Sequence, residues 1–100
     1  MNADLALTPD ERATVRAILR RHLPSGARVE VFGSRAGGDP KPWSDLDLAI
    51  EAPEPLSLPL LAELTEAFAE SPLPWKVDIV DRKTVSEAFG RIIDATAKAL

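Results

Sequence analysis

The chain has 100 residues, 45% of them hydrophobic, and a formal net charge of −4. This length suits one small domain, over residues 1–100, with a single hydrophobic core. The acidic balance argues against direct binding of DNA or RNA, because such binders are usually basic. The sequence has no cysteine, which excludes disulfides, cysteine–zinc sites and cysteine catalysis. It shows no signal peptide and no apolar run approaching the ~20 residues of a membrane span, so we expect a cytoplasmic protein.

Several segments carry the spacing or the end signals of helices. A threonine, a proline and a glutamate at residues 8–11 combine a capping box with proline at the first helical position, and predict a helix that ends near Leu23. The other predicted helices cover residues 34–37, 58–70 and 84–98. The stripe of the last helix that we expect to face the core consists of Val85, Phe89, Ile92, Ile93 and Thr96.

Three short apolar runs predict strands at residues 27–32, 46–51 and 75–80. In the third run Asp78 faces away from its apolar neighbours, and an acid there costs free energy unless it is paired, metal-bound or at a sheet edge. The rival acid is Asp81, which we predict instead to cap the last helix. The order of elements predicts an α/β (α+β) fold, with a small mixed sheet of three or more strands and helices packed mainly on one face.

Asp45 and Asp47 stand two residues apart where the second strand begins. Residues i and i+2 of a strand point to the same face, so the two carboxylates should project together. Like charges so placed repel each other, and a divalent cation between them reverses that penalty. Carboxylate oxygens suit Mg²⁺ and bind Mn²⁺ as well. A lone Asp-x-Asp is nevertheless common at turns and strand edges, so the surrounding residues have to decide.

Gly33 and Ser34 form a turn after the first strand, twelve positions before Asp45. The N-terminus of the short helix that follows would present unpaired backbone N–H groups to an anion, with the Ser34 hydroxyl beside them. Without the aspartates, the same residues would be an ordinary strand-ending turn. Together they indicate a hard-metal site next to a phosphate site.

The loop between this turn and the second strand is rich in glycine and proline and carries Trp43. An exposed indole at this position could stack on a base or on a partner. It could also pack over Pro40 and Pro42, and we favour that packing.

The segments GSR at 33–35 and SDLDLA at 44–49 resemble the nucleotidyltransferase signature of the DNA polymerase beta superfamily. Residues 8–95 are similar to its smallest branch, the minimal nucleotidyltransferases (MNT), which are often encoded beside a HEPN-domain protein as a toxin–antitoxin pair. For Arg35, the resemblance is compatible with a phosphate contact or with a role in bracing the loop. The site residues that the resemblance implies are Gly33, Ser34 and Arg35 for the nucleotide, and Asp45, Asp47 and Asp78 for catalysis and two metal ions.

The resemblance implies a Mg²⁺-dependent enzyme that transfers a nucleoside monophosphate, AMP from ATP, to a hydroxyl of a partner protein. The chain would then be the antitoxin of a HEPN toxin, with a homo- or hetero-oligomer possible and no membrane or nucleic-acid partner. One alternative is a catalytically idle antitoxin that masks its partner sterically, and another is a small-molecule nucleotidyltransferase. Three departures from the family pattern are Gly37, where many relatives have a second arginine, Trp43, where they tend to have a small or acidic residue, and the stretch from Asp94 onward.

Overall fold

The computed structural model describes residues 5–100, which form four helices and one mixed four-stranded sheet. The elements in chain order are α1 (Pro9–His22), β1 (Arg28–Phe32), α2 (Ser34–Gly37), β2 (Leu46–Glu51), α3 (Leu58–Ala69), β3 (Val77–Asp81), α4 (Glu87–Thr96) and β4 (Lys98–Ala99). The sheet order is β3-β2-β1-β4. Strand β1 is antiparallel to β2 and β4, whereas β2 and β3 are parallel. No helix within residues 5–100 is long and apolar enough to cross a membrane.

The two faces of the sheet are covered by different helices. Helices α1 and α3 pack on one face, where they share the larger core cluster with the strands. Helix α4 packs on the other face through Ile93, beside Phe32 and Ala49. Because side chains alternate along a strand, Asp47 shares the α4 face with Ala49, and Asp78 shares it with Val80. The predicted fold class is therefore confirmed, with α4 covering the second face.

The start of α1 follows the predicted capping box. The Thr8 N–H donates to Glu11 Oε1 at 2.9 Å, and the Glu11 N–H donates to Thr8 Oγ1 at 3.1 Å. These two bonds satisfy backbone groups that the first helical turn leaves without partners. The predicted strand over 46–51 and the helical turn over 34–37 also have the bounds that the sequence indicates.

Asp81 does not cap the last helix, so that prediction was wrong. It is the final residue of β3 and is buried. Its carboxylate accepts hydrogen bonds from the N–H groups of Leu56 at 2.7 Å and Lys83 at 2.9 Å. The actual cap is Ser86, whose hydroxyl accepts from the Phe89 N–H at 3.1 Å, so α4 begins three residues later than predicted.

The end of the chain also differs from the prediction. Helix α4 ends at Thr96, not at Lys98, because Lys98 and Ala99 pair with β1 as a fourth strand. Ile92 is 60% exposed, so the prediction that it faces the core was wrong. Its neighbour Ile93 takes the buried position against the sheet.

Candidate active site

Asp47 and Asp78 are direct neighbours on two parallel strands, because the register of β2 and β3 pairs them. Burial raises the pKa of Asp47, and the negative charges of Asp78 and then Asp45 raise it further. Asp45 and Asp78 therefore both lie close enough to Asp47 to act on it electrostatically. Their mutual repulsion is of the kind that a bound cation relieves.

Gly33 makes room for the Asp47 carboxylate. Asp47 is paired with Phe32, the last residue of β1, so Gly33 follows directly beside it. A Cβ atom on Gly33 would lie only 2.5 Å from Asp47 Oδ2, and the residue has a φ of +78°. The carboxylate thus extends into space that a side chain would occupy. The glycine turn and the aspartate pair, which are separate motifs in the sequence, form one site in the structure.

The single turn of α2 begins at Ser34, directly after Gly33. The N–H groups of Ala36 and Gly37 both donate to the Gly33 carbonyl, at 3.1 and 3.2 Å. The first N–H groups of a helix have no partner within it, so those of Ser34 and Arg35 are suited to an anion. The N–H of Gly33 itself donates to Thr96 Oγ1 at 2.8 Å, which leaves Gly33 with a geometric role.

Thr96 is the site-adjacent residue that the sequence analysis missed. It was predicted only as part of the apolar stripe of the last helix. The signal that could have identified it is its hydroxyl, which is the one polar group in that stripe.

Arg35 braces the loop that leads to the aspartates. Its side chain is buried, and its guanidinium lies over the Trp75 ring with Cζ 4.6 Å from the ring centroid. Nε donates to the Ser44 carbonyl at 3.0 Å and Nη1 to the Ala6 carbonyl at 2.9 Å. Nη2 donates to the carbonyls of Lys41 and Pro42. Since all three nitrogens already bind carbonyls, the geometry does not support a phosphate contact by this side chain, and the loop-bracing alternative fits.

Replacing Arg35 with lysine is expected to lower the free energy of unfolding by about 2–4 kcal/mol. A lysine keeps the charge, but it lacks the planar guanidinium that reaches four carbonyls at once. Some of these backbone carbonyls would therefore be left without a hydrogen-bond donor. Urea denaturation measures the loss. The control is Arg20→Lys on the exposed side of α1, which should change little. Equal midpoints for the two variants would show that the loop does not depend on Arg35.

Trp43 is 72% exposed, so the prediction that it packs over Pro40 and Pro42 was wrong. The loop closes through a tight turn in which the Ser44 N–H donates to the Lys41 carbonyl at 3.0 Å. The Lys41 N–H in turn donates to Ser44 Oγ at 2.8 Å. This places Trp43 at the tip of the turn, two residues before Asp45, where a ligand or a partner can reach the indole.

No group of three His, Cys, Asp or Glu side chains within residues 5–100 is close enough together in this structure to hold a metal ion. Asp78 Oδ1 lies 3.7 Å from Lys76 Nζ, and both side chains are substantially exposed. Such a pair contributes little to stability and is free to rearrange. The donor set of three carboxylates, one of them with a raised pKa, is nevertheless chemically suited to a divalent cation.

A mixed sheet with acids on adjacent strands, beside a glycine-serine turn, is the arrangement of a nucleotidyltransferase domain. The family described as nucleotidyltransferase domain matches residues 12–99, and the chain belongs to that family.

Among known proteins, the chain is 47% identical over 91 residues to the probable protein adenylyltransferase MntA of Haemophilus influenzae, which covers 91% of this chain and 79% of that protein. The fold is similar to that of a crystal structure of a toxin–antitoxin with AMP-PNP, with a TM-score of 0.76, 28% identity, and coverage of 87% of this chain and 69% of that one. A structure described as a minimal nucleotidyltransferase gives a TM-score of 0.69 and 35% identity, over 91% of this chain and 90% of that chain. The predicted family and enzyme class are confirmed.

Proposed function

We propose that this chain is a Mg²⁺-dependent nucleotidyltransferase that moves AMP from ATP to a hydroxyl group of a partner protein. The observation that carries the proposal is the position of Asp47, which has Asp78 beside it on β3 and Gly33 beside it at the end of β1. The name of the Haemophilus relative, a protein adenylyltransferase, supports a protein acceptor. The similar toxin–antitoxin with AMP-PNP supports an adenine nucleotide as donor.

Asp45, Asp47 and Asp78 would hold the divalent cations, two Mg²⁺ ions or Mn²⁺ in their place. Their fit rests on Asp47, whose carboxylate is partly buried among like charges. When bound, the ions stabilise the charge that develops on the transferring phosphate and lower the pKa of the attacking hydroxyl.

The residues of the chain itself have two tasks in this reaction, phosphate binding and proton transfer. The backbone N–H groups of Ser34 and Arg35, with the Ser34 hydroxyl, bind phosphate oxygens at the start of α2. Asp78 accepts the proton of the acceptor hydroxyl. The hydroxyl oxygen then bonds to the α-phosphorus, the bond from that phosphorus to the β-phosphate oxygen breaks, and pyrophosphate leaves.

The proposed partner is a HEPN-domain toxin, with the chain acting as its antitoxin in a hetero-oligomer. The toxin–antitoxin similarity supports this pairing. Residues 1–100 contain no tyrosine, so a tyrosine acceptor has to belong to another protein.

A second candidate is an antitoxin that masks its partner by contact alone. The exposed Trp43, at the tip of a braced loop, favours it. Tryptophan is enriched among the residues that dominate binding at protein interfaces. The two candidates differ in whether a covalent product forms.

The deciding experiment is transfer from ATP labelled at the α-phosphate, in the presence of Mg²⁺ and the product of the neighbouring gene. The double variant Asp45→Ala/Asp47→Ala runs in parallel, with Asp10→Ala on exposed α1 as the control. We expect label on the partner and a mass gain of whole AMP units, both lost only in the double variant. An unlabelled partner, in a stable complex that survives the double substitution, would contradict transfer and leave the masking antitoxin.

A further inference from the structure

Thr96, at the end of α4, lies against both Gly33 and Gly37, the two ends of the glycine turn and short helix beside the site. Its Oγ1 accepts the hydrogen bond from the Gly33 N–H at 2.8 Å, although the two residues are 63 positions apart in the chain. Its Cγ2 lies 3.3 Å from the position that a Cβ on Gly37 would occupy. The polar half of the side chain therefore holds Gly33, and the methyl half fills the space over Gly37.

The pairing of β4 explains why Thr96 meets Gly33. Lys98 pairs with Val31 in an antiparallel register. Continuing that register by two residues in each strand brings Thr96 opposite Gly33. The two-residue strand thus aligns the last residue of α4 with the first residue after β1.

Two further contacts fix α4, the helix that ends at Thr96. Phe89 packs edge-to-face on Phe32, with ring centroids 6.1 Å apart. Arg82 binds Asp94 through contacts of 2.8 and 2.9 Å, and the hydrogen bond between them lowers the pKa of Asp94. Thr96 therefore lies between two anchored elements, which leaves its hydroxyl little freedom to move.

The hydrogen bond from the Gly33 N–H to Thr96 Oγ1 determines which backbone N–H groups of the turn are available to an anion. The Gly33 N–H is occupied by Oγ1, so it cannot bind an anion while this bond is present. The orientation of Gly33 fixes that of the following peptide groups, which start α2. The same residue lies beside Asp47 Oδ2, so a rotation at Gly33 would also disturb that carboxylate.

We propose that Thr96 is a positioning residue for nucleotide binding, because it fixes the Gly33 turn against Asp47 and directs the N–H groups of Ser34 and Arg35 toward the phosphates. This inference rests on the proposed nucleotidyl transfer and adds a residue from the C-terminal part of the chain to that site. The hydroxyl supplies the acceptor for Gly33 and carries the positioning role, whereas the methyl group only packs over Gly37.

The test compares Thr96→Val, which keeps the shape and removes the acceptor, with Thr96→Ser, which keeps the acceptor. We expect Thr96→Val to weaken Mg²⁺–ATP binding about tenfold, as the loss of one positioning hydrogen bond would. It should also raise the KM for ATP more than it lowers kcat. Thr96→Ser should stay within about twofold of the unchanged protein. The matched control is Thr65→Val, because Thr65 Oγ1 donates only within its own helix, to the Leu61 carbonyl.

A second readout follows the Gly33 amide directly by NMR hydrogen exchange. Its protection should fall in Thr96→Val and persist in Thr96→Ser. Unchanged exchange and unchanged ATP affinity in Thr96→Val would overturn the positioning role while leaving the proposed function intact. If the unchanged protein itself bound no nucleotide, the proposed function and this inference would both fall.

Discussion

Replacing Asp47 with asparagine is expected to reduce AMP transfer by about 1,000-fold or more and, at the same time, to stabilise the metal-free protein at neutral pH. Transfer is lost because Asp47 lies between the glycine turn and Asp78, and a neutral amide is a poor ligand for a hard cation. Stability rises because the substitution removes a carboxylate whose charged form is opposed by burial and by two neighbouring acids.

The pH dependence of this effect has a definite sign. The folded protein raises the pKa of Asp47 above its ordinary value of 3.8, so protonation of this group favours the folded state. Its stabilising contribution is present below that ordinary value and is lost as the pH rises through the higher folded pKa. The asparagine variant cannot ionise, so its advantage in Tm should be small near pH 4 and should grow to a few degrees at pH 7.

Thermal unfolding with EDTA, at several pH values, measures this difference. Asp39→Asn is the matched control, since it removes the same charge from an exposed loop position. Added Mg²⁺ should then raise the Tm of the unchanged protein and leave that of Asp47→Asn in place. A variant less stable than the unchanged protein at pH 7 without metal would show that the Asp47 carboxylate is not under electrostatic strain.

The parts of this fold that the sequence predicts are those with local causes. The start of α1 is set by the capping box, whose two hydrogen bonds join Thr8 and Glu11, only three residues apart. The apolar run at residues 46–51 predicts β2 with the bounds that the structure has. The pairing of Asp47 with Asp78 is consistent with this pattern, but its register comes from the parallel packing of β2 on β3.

The parts that it misses depend on contacts between distant segments. Aspartate is a common residue at helix caps, which is why Asp81 was predicted to be one. Its carboxylate instead accepts a hydrogen bond from the N–H of Leu56, 25 residues earlier in the chain. The two residues of β4 are too few for any periodic pattern, and they form a strand only because β1 offers a free edge. Arg35 was compatible with two roles in the sequence, and only the carbonyls around it distinguish them.

Replacing Gly33 with alanine is expected to lower the free energy of unfolding by about 1–3 kcal/mol and to reduce AMP transfer by about 100-fold or more. The stability cost comes from the backbone: φ is +78° and ψ is −154°, a combination that is nearly restricted to glycine. The loss of transfer comes from the new Cβ, which would lie 2.5 Å from Asp47 Oδ2 and force that carboxylate out of its position.

Gly26→Ala separates these two effects, because Gly26 also has a positive φ, of +86°, but its Cβ would meet only Pro53, at 3.4 Å. That control should lose comparable stability and keep its transfer activity. The cost of Gly33→Ala should also be smaller in an Asp47→Ala background, since the obstructing carboxylate is then absent. Urea denaturation of the four proteins of this cycle measures the coupling, and labelled-ATP transfer measures the activity. Two results would contradict this coupling: full transfer activity in Gly33→Ala, or the same loss of unfolding free energy in both backgrounds. Either would show that the turn and Asp47 are independent, so that the site does not require a residue without a side chain beside Asp47.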